Sequence, residues 1–183
     1  FVNMFIGHGG EFFKAGTAEP NINNAKGVAT LNMLKKLASL SNPDYLTHDS
    51  EAIKVEWESG KVALMTLWAS RSGTLLDDEG DAKITAATKL TGPATVGGGN
   101  IPAATLWWDG FTLAKNRSDS DAEASFIALA HAASNKKMVA DAADQAVWLV
   151  EGFVPGPKSI GVIEAVKMGA KPYPMLPQMG LMH

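Results

Sequence analysis

The chain has 183 residues, 46% of them apolar and 19% charged. That is enough for one ordinary domain, or for parts of two, with a packed core, and too apolar for wholesale disorder. Lys and Arg total 16 against 19 for Asp and Glu, a net charge of -3, so a basic footprint for nucleic acid is excluded. The absence of cysteine excludes disulfide scaffolds, thiolate zinc sites and cysteine nucleophiles. The longest apolar run, 62–69 broken only by Thr66, is too short to span a bilayer.

At the N-terminus Phe1 is not an initiator Met, and 1–6 is not followed by a signal-type cleavage site. With His183 at the other end and no stop signal before it, the chain reads as a piece of something longer. Gly7 to Gly10 is a turn-rich stretch closed by Glu11, Phe12 and Phe13. Asn24 is the expected N-cap of a helix with Val28, Leu31, Leu34, Leu37 and Ala38 on one face, and Asn42-Pro43 stops it. Asp49 or Ser50 caps a second helix through Glu58, with Ile53 and Trp57 on its buried side, and Ser59-Gly60 ends it. A buried strand is expected over 62–68, a short helix over 70–76 and a solvated acidic turn over 77–81.

A weak strand follows over 84–87. The stretch 91–102 contains Gly92-Pro93 and Gly97-Gly98-Gly99 and reads as a loop. A second strand-like run covers 105–114. Asp119 or Ser120 then caps a helix through Ala133, with Ala124, Ile127, Ala128 and His131 at helical spacing. A short helix over 135–143, a Gly- and Pro-rich loop over 151–157, a helix over 159–168 and an extended stretch over 172–177 complete the chain. There are no repeats and no heptads. Helices alternating with short apolar strands argue for an α/β fold.

Several stretches, taken in order, carry a likeness. Gly9-Gly10-Glu11-Phe12 looks like a Gly-Gly-aromatic turn, and Trp57-Glu58-Ser59-Gly60-Lys61-Val62-Ala63-Leu64-Met65 like an F-x-x-G-K-x-A-M helix-to-strand signature. Trp108-Asp109-Gly110-Phe111-Thr112-Leu113-Ala114 is similar to a G-G-W-x-L-A-I strand, and 119–133 to the helix that follows it. The loop over 152–159 is similar to G-x-x-P-x-x-x-S, and Leu176-Pro177-Gln178-Met179 to a stretch leading into a last ligand-facing segment. In this order and spacing the chain resembles the family 1 extracellular solute-binding proteins, the sugar-binding subunits of ABC importers.

The resemblance implies a two-lobed α/β fold of the periplasmic binding protein type, here a fragment lacking most of the N-terminal lobe. Residues 1–84 and 145–183 would belong to the C-terminal lobe, and 85–144 would return to the N-terminal lobe. It implies a non-catalytic monomer without a cofactor, which captures a sugar or polyol between its lobes and delivers it to the permease subunits of an ABC importer. The location would be periplasmic, or lipid-anchored and extracellular in a Gram-positive host.

A sugar site needs flat aromatic faces for the C–H side of the ring and planar polar groups for the hydroxyls. Trp107, Trp108 and Asp109 are the leading candidates. At strand alternation Trp107 and Asp109 share one face and Trp108 takes the other. The alternative is that both tryptophans are core and Asp109 caps the turn before Gly110. The resembled family has an aromatic where Asp109 stands, which suggests added hydroxyl or cationic contacts.

Trp68, Ser70 and Arg71 follow the first strand, where the family places ligand contacts; a core Trp68 and a surface-paired Arg71 are the alternative. Backbone N–H groups at the start of the following helix would add donors. Gly9 and Gly10 would let backbone approach a ligand closely, and Glu11 would accept hydroxyls, or simply be solvated. His8 sits in the glycine loop, but the four histidines lack ligand spacing, so no metal site is expected. Gly97-Gly98-Gly99 lacks the Lys-Ser or Lys-Thr of a phosphate loop.

Two other functions are kept beside this one. A binding protein for a cationic solute would use Asp109 with the faces of Trp107 and Trp108. A carbohydrate-active enzyme would need two carboxylates flanking the bond, for which Glu11 and Asp109 are the candidates.

Overall fold

In the computed structural model of the chain, which describes residues 1–77, 80–107, 110–134, 136 and 156–174, two helices start at the polar caps that the sequence predicts. Helix α1 spans Val2–Gly7. Helix α2, Ala25–Leu40, begins where Asn24 Oδ1 accepts from the backbone N–H groups of Lys26 and Gly27 at 2.9 and 3.2 Å. Helix α3, Ser50–Glu58, begins where Asp49 accepts from Glu51 and Ala52. These caps satisfy donors that the first helical turn leaves free. Gly60, with φ 71°, closes α3 by donating to the Trp57 carbonyl at 2.8 Å.

Helix α4 is the single turn Ala69–Ser72, continued as a 3-10 turn over Gly73–Leu76. Helix α5 covers Ala82–Ala87, α6 covers Asp119–Ala132 and α7 covers Ile160–Lys167. The 3-10 turn Pro157–Ser159 leads into α7 and is tied to Asp77 by a half-buried Lys158 ion pair of 2.6 Å. Strands β1, Thr105–Leu106, and β2, Lys171–Pro172, pair in parallel with Thr105 opposite Lys171. Among the described residues this pair is the whole sheet. The described chain is mostly helical, which by itself assigns no fold.

The core is aromatic and lies near the N-terminus. Phe5, Ile6, Phe12 and Phe13 are buried together, with Val2, Ile22 and Tyr173 packed against them. Phe5 stacks on Phe1 at 5.4 Å and meets Phe12 edge-on at 5.1 Å, arrangements that aromatic quadrupoles favour. The turn over Gly9 and Gly10 brings Phe12 back onto α1. A Cβ at Gly10 would fall 2.5 Å from the Phe5 ring.

Several expected elements differ. The run 62–68 forms no strand, and Leu64 is 90% exposed. A strand needs a neighbour for its backbone groups, and among the described residues no strand or bridge pairs with this segment. The run 84–87 is helical, because Asp81 accepts from Lys83 N–H and caps an Ala-rich turn. The strand expected over 105–114 ends at Leu106.

Helix α6 is capped by Ser118, one residue before the expected position, and its spaced residues Ala124, Ile127, Ala128 and His131 are exposed. In α2 the buried positions are Gly27 and Thr30, while Val28, Leu31 and Leu37 are exposed. The covered stripe is rotated from the apolar one: a Cβ at Gly27 would fall 2.0 Å from the Ile22 carbonyl, so the preceding loop lies against this side of α2. The helix expected over 135–143 lies outside the described residues apart from 136, as does 151–155 of the expected loop and 175–177 of the expected extended stretch.

Candidate functional site

The β1–β2 register does more than close a sheet. Tyr173, just after β2, donates its backbone N–H to the Leu106 carbonyl at 3.1 Å. This sets its ring beside Trp107, just after β1, with centroids 4.3 Å apart and planes at 33°. On its other side Tyr173 packs against the phenylalanine core. Trp68, the residue that leads into α4, stacks on Trp107 at 6.3 Å with planes at 27°. Trp68 is 67% exposed and Trp107 55%. The result is an aromatic shelf anchored on the core through Tyr173 and open to solvent at Trp68.

A polar edge runs beside the shelf. The Trp107 indole N–H donates to Thr105 Oγ1 at 3.1 Å, and the Thr105 hydroxyl donates to Asn3 Oδ1 at 2.9 Å. The indole therefore has a fixed partner, which orients its plane. Exposed ring faces beside hydroxyl and carboxamide groups suit a ligand with both C–H faces and hydroxyls. Ring faces alone also attract a quaternary ammonium.

The remaining predicted residues divide. Arg71 is paired with Glu51 at 3.0 Å, and both are largely exposed, a pair that water screens. Ser70 is exposed on α4, and α4 is only one turn long. Gly9, with φ 72°, presents its carbonyl to Lys26 Nζ. Gly10 packs against Phe5. Glu11 is exposed and lines a cleft of about 240 Å³ with Asn21, Asn24, Ala25 and Lys26. That lining shares no residue with the shelf. Trp108 and Asp109 lie outside the described residues.

Thus Trp68 and Trp107 come together, and the Gly9–Glu11 turn contributes to a different cleft. His8 Nε2 is buried without a partner among the described residues, its ring against the Gly97 turn. Among the described residues no group of three or more His, Asp or Glu is placed to hold a metal ion, and no helix is long and apolar enough to cross a membrane.

Sequence reasoning misses Tyr173, Thr105 and Asn3. Thr105 has a signal, since strand alternation puts it on the same face as Trp107. Tyr173 falls in the stretch read only as extended. Asn3 reaches Thr105 across 102 positions, and no local pattern marks it. No protein-family model, curated protein or solved structure matches the chain, so its function has to be argued from the shelf and from the order of its sequence motifs.

Proposed function

We propose that the chain is part of an extracytoplasmic solute-binding protein, which takes a sugar or small polyol onto the shelf of Trp68, Trp107 and Tyr173 and passes it unaltered to an ABC importer. The observation that carries this reading is the stacking of Trp68 on Trp107 in an exposed aromatic group with hydroxyl and carboxamide neighbours. In this reading Trp68 and Tyr173 belong to the C-terminal lobe, over 1–84 and 145–183, and Trp107 to the segment 85–144 that returns to the N-terminal lobe. The shelf then spans the lobes, and a ligand that adds contacts in the closed form shifts the balance toward closure.

The test is a tryptophan-fluorescence titration with sugars, polyols and quaternary ammonium compounds in turn. A saturable change with a sugar or polyol, the ligand recovered intact and the response lost in Trp107→Ala, is the expected result. Silence across the panel from folded protein sinks the carbohydrate reading. A response to ammonium compounds alone replaces it with cationic-solute uptake, and disappearance of the ligand with time replaces it with an enzyme.

A further inference from the structure

We infer that the polar edge of the shelf is a carboxylate subsite built from Asn3 and Lys171, and that the sugar it takes is acidic, a uronate or related sugar acid, rather than neutral. The inference rests on the carbohydrate reading and names the substrate class of that same site.

The direction of the hydrogen bonds fixes what the edge can offer. An indole N–H can only donate, so the Thr105 hydroxyl accepts from Trp107 and spends its own proton on Asn3 Oδ1. The carbonyl side of the Asn3 carboxamide is thereby taken. Its NH2 group, on an exposed residue, makes no hydrogen bond among the described residues. The chain of bonds therefore ends on a donor, and a donor edge selects an acceptor oxygen.

Register adds a cation. Thr105 and Trp107 share one face of β1, as their bond shows, and the Tyr173 ring packs on Trp107 from the end of the neighbouring strand. Lys171 lies opposite Thr105 in the parallel pair, two residues before Tyr173. Side chains alternate along a strand, so Lys171 leaves the sheet on that same face. Paired strands are about 4.8 Å apart, a gap that a lysine side chain outreaches. Lys171 is exposed and forms no ion pair among the described residues. On the Trp68 side, Arg71 and Glu51 neutralise each other. Among the described residues of the shelf and its edge, Lys171 is charged and none is acidic.

The shape of a sugar acid fits both parts. When the C–H face of a pyranose lies on an indole, a carboxylate on the ring points sideways, past the margin of the aromatic plate. There one oxygen takes the Asn3 N–H and the other faces the Lys171 ammonium. Hydrogen bonds to an ionised acceptor are the strong ones. A neutral sugar leaves the ammonium without a counter-charge, and a quaternary ammonium ligand meets it as a like charge.

Fluorescence titration of the chain with glucuronate and galacturonate, each beside its parent neutral sugar, tests the assignment. Far-ultraviolet circular dichroism checks that each variant is folded. The acid should bind about tenfold more tightly than its parent, and the preference should shrink as salt is added. Lys171→Met should cut the preference about threefold, as an exposed ion pair allows, and Lys171→Arg should keep it. Asn3→Asp still offers Thr105 an oxygen but replaces the donor by an anion, and should abolish the preference. Parents that bind as tightly as their acids overturn the carboxylate subsite and leave the carbohydrate reading standing. An acid preference indifferent to both Lys171→Met and Asn3→Asp puts the anion elsewhere and also overturns it. Silence with acids and parents alike, from folded chain, overturns the subsite and the carbohydrate reading together.

Discussion

Trp107 is held from two directions, by the Tyr173 ring and by the hydroxyl that takes its indole proton. Thr105 is thus a positioning residue for the shelf. Thr105→Val keeps the shape but removes the acceptor, and the indole is then free to tilt. The titration described above should show an affinity loss of about threefold to tenfold for Thr105→Val, consistent with one ordinary hydrogen bond, and near-complete recovery for Thr105→Ser. Equal affinity in all three proteins would mean that the bond does not orient the ring. Gly10 makes a different prediction. Its backbone φ is unexceptional, but the space for a Cβ is filled by the Phe5 ring, which Phe1 and Phe12 hold in place. Gly10→Ala should cost about 1–3 kcal/mol through overpacking, read as a lowered urea midpoint.

Caps carry the helices at the scale of elements. Asn24→Ala leaves two backbone donors of α2 without their acceptor and should cost about 1 kcal/mol, measured by thermal or urea unfolding. These caps are legible in the sequence because the bond joins a side chain to backbone two or three residues away. The strand expected over 62–68 fails for the opposite reason: apolar β-formers supply propensity, but a strand exists only with a neighbour, and pairing is not local. The helix at 84–87 shows the same contest, with the Asp81 cap and three alanines outweighing Ile84 and Thr85. The apolar stripe of α2 is visible in the sequence, but the side that is covered is the one with Gly27 and Thr30, where the Ile22 carbonyl approaches too closely for a side chain at 27. At the site, Trp68 and Trp107 are legible as residue types suited to a ligand. Their meeting joins residues 39 positions apart and no local pattern marks it, and the arrival of Tyr173 follows from the β1–β2 register.

At the scale of the whole molecule, large apolar side chains stand in water along much of the described chain, Leu40, Leu46 and Leu64 among them. Among the described residues the buried hydrophobic cluster lies near the N-terminus, with Leu75, Val96 and Ala165 buried apart from it, so stability is unevenly distributed. Hydrogen exchange should be slowest at the amides of Phe5 to Gly10, where backbone bonds are covered by the phenylalanines, and fastest in α6, which buries nothing. Protection of α6 equal to that of α1 in dilute protein would mean that its exposed face is already covered within one chain.

The pairing of Trp68 with Trp107 also has an optical consequence. Two indoles 6.3 Å apart and tilted by 27° share their electronic excitation, and the split bands give circular dichroism of opposite signs in the ultraviolet. That couplet vanishes when either ring turns away, whereas the helical signal does not depend on it. Because the β1–β2 pair joins residues 105 and 171, the couplet also reports whether distant parts of the chain have found each other. The chain thus carries a built-in, label-free gauge, one that separates rearrangement of the shelf from loss of the fold.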